Sequence, residues 1–98
     1  MAKFALYVHL KAKPGRGNDV AAFLKSALPL AQQEVGTVSW YAFAEDGGSF
    51  GIFDTFDTEA ARQAHLNGPI AKALMTKTSE LLAESPQIHQ INILADKH

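Results

Sequence analysis

The chain has 98 residues, 9 basic and 10 acidic, with a net charge of −1 and 0 cysteines. Near-neutral charge with scattered basic residues leaves no electrostatic footprint for nucleic acid or an anionic membrane, and the missing cysteines exclude disulfides, thiol nucleophiles and thiolate metal ligands. Hydrophobic residues make up 47% and charged residues 19%, below the roughly 25% charged of an ordinary globular chain, so a single domain over residues 1–98 has apolar surface left for a partner chain.

Residues 4–11 alternate, with Phe4, Leu6, Val8 and Leu10 on one side and Ala5, Tyr7, His9 and Lys11 on the other, which predicts a strand with two different faces. A turn follows at Lys13-Pro14-Gly15-Arg16-Gly17. A helix runs from there to about Glu34, with Asn18 or Asp19 as its N-cap. Val20, Phe23, Leu24, Ala27 and Leu30 recur at helical spacing. Pro29 lies inside this stretch, removes a backbone donor, and should kink or split it. Gly36 supplies the stop.

Residues 37–45 and 49–57 are rich in β-formers and joined by Asp46-Gly47-Gly48, a hairpin signal. A two-residue turn would put Val38, Trp40, Ala42, Ala44, Gly51 and Phe53 on one face. Ser39, Tyr41, Phe43, Phe50, Ile52, Asp54 and Phe56 would then share the other. Thr58 is placed to cap a short helix that runs to about Asn67 and stops at Gly68-Pro69. Pro69 opens the next helix, whose stripe is Ile70, Leu74, Thr78 and Leu81, and Ser85-Pro86 ends it. Residues 87–94 read as a last strand.

The order β-α-β-β-α-β, with the second helix broken, predicts an α+β ferredoxin-like fold: a four-stranded antiparallel sheet with helices on one face. The helix-free face is too apolar to stand in water, so two copies should bring their open faces together. The start of the chain lacks the basic and continuous apolar segments of a signal peptide. No apolar run approaches the roughly 20 residues of a membrane helix. The expectation is a soluble cytoplasmic protein with no membrane or nucleic-acid partner.

Three segments carry a family resemblance. They are Gly36-Thr37-Val38-Ser39-Trp40-Tyr41-Ala42-Phe43, Phe50-Gly51-Ile52-Phe53-Asp54-Thr55-Phe56-Asp57, and the run from Ala64-His65-Leu66 to Lys72-Ala73-Leu74. With the Lys13-Pro14-Gly15 turn, the chain resembles the antibiotic biosynthesis monooxygenase domain family over nearly its whole length. The resemblance implies a dimeric α/β barrel and, in one branch, cofactor-independent oxidation of a quinol or polyphenolic, polyketide-type molecule. It also covers members of unknown activity, so a non-catalytic dimeric module, small-molecule-binding or stress-related, is the alternative. Asp54 and Phe56 fall where the family often has Glu and Trp, and His65 matches its common His. The heme-degrading branch fits less well: the first strand has no Asn, His65 takes the place of its Trp, and Met75 takes that of its ligand His, a poor substitute.

Cofactor-free oxygenation needs an apolar cavity, a base or hydrogen bond that favours the phenolate, and little else. His65 is the candidate base or hydrogen-bond donor, since imidazole titrates near pH ~6.5. Trp40, Tyr7, His9 and Met75 are the candidate substrate-binding residues. Tyr41, Phe43, Ile52, Asp54 and Phe56 are the candidate dimer interface. No spacing of residues suggests a metal site, and no cofactor is expected.

Overall fold

The computed structural model describes residues 2–98. The elements are β1 (Phe4–Lys11), α1 (Gly17–Ser26), α2 (Leu28–Gln33), β2 (Thr37–Glu45), β3 (Ser49–Phe56), α3 (Glu59–Leu66), α4 (Pro69–Leu81) and β4 (Gln87–Asn92). All strand pairs are antiparallel, in the order β2-β3-β1-β4. This is the ferredoxin-like arrangement that the element order predicts, and its helices cover one face of the sheet.

The alternation in β1 decides the layers. Leu6, Val8 and Leu10 point to the helices and are buried. There they meet Val20 and Leu24 of α1, Leu74 and Leu81 of α4, and Phe50 and Ile52 of β3. Pro29 splits the long helix as expected. α1 ends at Ser26, and Pro29 falls in the first turn of α2, where a missing N–H leaves nothing unpaired. The start of α1 differs from expectation: it begins at Gly17 with no side-chain cap, and Asp19 instead pairs with Arg16 at 3.2 Å. Thr58 caps α3 by accepting from the Ala61 N–H at 3.1 Å, and Pro69 opens α4. β4 ends at Asn92, two residues short of the expected boundary.

The hairpin corrects the expected faces. Glu45 pairs with Ser49, so the loop has three residues, with Gly47 and Gly48 at φ of 78° and 79°. A loop one residue longer than assumed shifts the register by one and exchanges the partners of every side chain. Trp40 therefore sits opposite Asp54 and Ala42 opposite Ile52, while Tyr41 sits opposite Phe53 and Phe43 opposite Gly51. Ile52, Asp54 and Phe56 are buried on the helix side. They do not lie on the open face where the sequence reading put them. Tyr41 and Phe43 stay on that face, beside Tyr7, which stacks on Phe43 at 6.3 Å and on His89 at 5.6 Å.

The turn from α2 into β2 presses closely on α3. A Cβ on Gly36 would come within 2.8 Å of the Ala61 Cβ and 3.5 Å of its Cα. The clash is with backbone-borne atoms that have no rotamer to yield. Gly36→Ala is expected to destabilise the fold by about 1–3 kcal/mol, the usual cost of overpacking, as read by urea unfolding.

Candidate functional site: a histidine between two buried carboxylates

His65 lies in the last turn of α3, turned toward the sheet. Its Nδ1 is 2.5 Å from Glu34 Oε1, at the C-cap of α2. Its Nε2 is 2.8 Å from Asp54 Oδ2, on β3. The Asp54 approach lies off the ring N–H direction and is an ion-pair contact rather than a linear hydrogen bond. The Phe56 ring packs against the imidazole at 5.3 Å. The three charged side chains are largely out of water: His65 is 8% exposed, Asp54 1% and Glu34 18%.

Both ring nitrogens face carboxylate oxygens, so the arrangement favours the imidazolium. Burial by itself would lower the His65 pKa, but the close contacts with the Asp54 and Glu34 carboxylates and their charges outweigh it and raise it above 6.5. The Asp54 carboxyl is pushed up chiefly by burial, against the pull of His65, and the nearby Glu34 charge adds to the rise.

Glu34 joins this cluster to a cleft. The Thr37 hydroxyl donates to the same Oε1 at 2.9 Å, while Oε2 is buried without a partner. The Trp40 Nε1 is also buried without a partner. Both residues line a cleft of about 280 Å³ between α2 and the start of β2, whose walls include Leu28, Ala31, Thr37 and Val38. His65 does not line it and lies behind Glu34. Buried polar atoms are normally paired. A hydroxyl group, which both donates and accepts, has the chemistry to satisfy the unpaired acceptor and donor that these two lining residues hold.

Of the residues that the sequence singles out, the structure brings together His65, Trp40, Asp54 and Phe56. Tyr7 and His9 are on the opposite face of the sheet, because they alternate with the buried Leu6, Val8 and Leu10. Met75 is 60% exposed, one position past the buried Leu74, and points away from the core. Neither the two strand residues nor Met75 lines the cleft. Glu34 escapes sequence reading. It looks like the solvated end of a helix, and no local pattern ties it to a histidine 31 positions away. Arg62 also escapes it. This buried guanidinium donates to the carbonyls of Ala5 at 3.3 Å and Ile91 at 2.8 Å, pairs with Glu59, and lies over the Phe4 ring, so it holds α3 to the sheet. Among the described residues, no group of three or more His, Asp or Glu side chains is arranged to hold a metal ion.

The fold is a ferredoxin-like α+β fold of the kind also seen in solved structures named antibiotic biosynthesis monooxygenases. One such monooxygenase of known structure shares 13% identity with a TM-score of 0.79, over 94% of this chain and 99% of that one. Rv0793 from Mycobacterium tuberculosis shares 18% with a TM-score of 0.84, over 98% and 99%. At these identities the likeness is one of fold. The chain belongs to the family of the NE2512 protein of unknown function from Nitrosomonas europaea, with 51% identity over 100% of this chain and 95% of that one and a TM-score of 0.96. No protein-family model and no curated protein sequence matches the chain. No helix among the described residues is long and apolar enough to cross a membrane.

The cluster sets the stability profile. Removing the cation leaves the buried Asp54 carboxylate without compensation beside the half-buried Glu34, so His65→Ala should cost about 3–5 kcal/mol in urea unfolding. The His65 pKa is raised on folding, so its contribution is complete below pH 6.5 and is lost as pH climbs through the folded value. The melting temperature of the wild type should therefore fall across that window, and His65→Gln should flatten the fall.

Proposed function

We propose that the protein is a homodimeric, cofactor-independent monooxygenase of a small quinol or polyphenol. The observation that carries this reading is that two residues lining one cleft, Glu34 and Trp40, each hold a buried polar atom without a partner, the acceptor Oε2 and the donor Nε1. A phenolic O–H would donate to Glu34, and the Trp40 N–H would donate to the phenolic oxygen. Together they pull the proton from the ring oxygen and stabilise the charge left on it. The electron-rich ring then reduces dioxygen. For 1,4-dihydroxynaphthalene, one oxygen atom enters the ring to give the hydroxynaphthoquinone and the other leaves as water. His65 has both nitrogens engaged and acts through Glu34, which makes it a positioning residue. The cleft lies near the small end of ligand pockets, which favours one or two rings.

The fold supports the oxygenase reading, since a neighbour of this architecture is named an antibiotic biosynthesis monooxygenase. The engaged imidazole favours a second reading, non-catalytic binding of a small molecule, because no free ring nitrogen is left as a base. An oxygen electrode separates the two. Without added metal or flavin, the wild type should consume oxygen with 1,4-dihydroxynaphthalene or anthrone. Glu34→Gln should lower kcat by about a hundredfold, within the usual range for a lost proton acceptor. A Gln variant as fast as the wild type would overturn the role of Glu34. Binding without oxygen uptake would select the second reading.

The open face of the sheet supports the homodimer. Tyr41 is 60% exposed there, beside a groove of about 610 Å³ lined with Val38, Phe53, Ile93 and Ala95. Exposed apolar side chains gathered on one sheet face suit a surface covered by a second copy. Sedimentation should give twice the chain mass at micromolar concentration, and Tyr41→Glu should shift it to the monomer.

A further inference from the structure

We propose that the contact between Glu34 and His65 is a latch that holds the α2–β2 turn, at one wall of the cleft, against α3. Loss of the imidazole's positive charge releases it by setting Asp54 and Glu34 against each other across a neutral ring. The latch regulates the site in the reading above, but it is a property of the fold and needs no substrate to be observed.

Three observations carry the inference. Glu34 is the last residue before the turn into β2, and its side chain is what ties that turn to α3. Oε1 meets His65 Nδ1 at 2.5 Å and the Thr37 hydroxyl at 2.9 Å, while Oε2 has no partner. The segment it holds is short. α2 has six residues and no side-chain cap, and the turn after it lies close against α3 at Gly36 and Ala61. Finally, the two carboxylates differ in access to water. Asp54 is sealed under the sheet-facing side of α3, whereas Glu34 is at the surface end of the cluster.

The direction of release follows from the charges. With His65 protonated, two carboxylates share one cation, and the cluster is attractive along both contacts. Asp54 from β3 and Glu34 from the turn are the charged groups that act on His65. The other packed elements present apolar groups: Leu6 of β1 beside Asp54, Phe56 of β3 on the ring, and Ile70 of α4 with Ala31 of α2. Arg62, one turn back on α3, is committed to the carbonyls of Ala5 and Ile91 and to Glu59. No second cation therefore replaces the imidazolium once it loses its proton. Two like charges would then face a neutral ring in a dry environment, and the carboxylate nearer to solvent leaves. That is Glu34, and the α2–β2 turn moves with it, baring the buried edge of Trp40. The proton is held above the ordinary imidazole range, so release lies on the alkaline side of pH 6.5.

Trp40 is the single tryptophan of the chain, and it sits on the cleft. Acrylamide quenching of its fluorescence is the test, from about pH 6 to about pH 9.5, a span that brackets a raised imidazole pKa. Far-UV circular dichroism checks that the fold stays intact. The quenching constant should rise several-fold in one transition with a midpoint above 6.5. Glu34→Gln keeps a hydrogen-bonding group on Nδ1 without the charge and should abolish the transition. Should that variant not fold, Asp54→Asn removes the opposing carboxylate and should lower the midpoint and shrink the amplitude. Quenching that stays flat in the wild type, or a transition unchanged in both variants, overturns the latch. Oxygen uptake is scored separately. Turnover without a fluorescence transition sinks the latch alone, and a transition without turnover sinks the oxygenase reading alone.

Discussion

The structure turns on one imidazole held between two carboxylates in a place with little water. A single buried ion pair contributes little net stability, because desolvation cancels most of the Coulomb attraction. Here one cation serves two carboxylates from two elements, and all three lie largely beneath α3 and the turn after α2. Such a cluster is easily outdone by apolar packing of the same volume. It does what apolar packing cannot: it fixes the position of one carboxylate, Glu34, whose second oxygen is left free beside a cleft. The cost of burial and the unpaired oxygen belong to the same design.

What surrounds that cluster depends on the hairpin. Asp54 faces the helices through its pairing with Leu6 of β1, and the three-residue loop Asp46-Gly47-Gly48 puts Trp40 opposite it on the same side. With a two-residue loop, Trp40 and Asp54 would lie on opposite faces. Gly47 and Gly48 both take φ near +78°, a conformation glycine adopts without strain. The Lys11 ammonium also donates to the Gly47 carbonyl and pins the loop to β1. One residue in a surface loop thus decides whether Trp40 shares a face with the cluster.

The sequence carried most of the architecture because its periodicities are strong. β1, the split at Pro29, the Thr58 cap and the Pro69 start each follow from local rules that the structure obeys. The hairpin faces were lost because two glycines after an aspartate suit loops of either length, and parity alone separates the outcomes. Within the site, His65 and Trp40 were legible as chemistry-bearing residues on the right elements. Glu34 was not, since a glutamate ending a helix looks like any solvated terminus until the fold carries α3 across it. Met75 failed for the reverse reason. A methionine between buried helix positions looks like core, but one step along a helix turns a side chain by about 100°, which takes it from Leu74 to the solvent side.

β3 binds the two faces of the sheet into one system. Asp54 points inward to His65, while its neighbours Phe53 and Thr55 point outward to the groove proposed for a second copy. Val38 and Ser39, at the start of β2, line both the cleft and that groove. The Ser39 hydroxyl meets that of Thr55 at 2.5 Å across the strand pair, just where the β2–β3 register shifts. A partner seated on the open face would press on the same short stretch of β2 that forms one wall of the cleft. The excess of apolar residues in a chain of this length therefore has a second consequence. A second copy on that face would lie across β2 from the cleft, where docking and the state of the cleft would act on the same backbone.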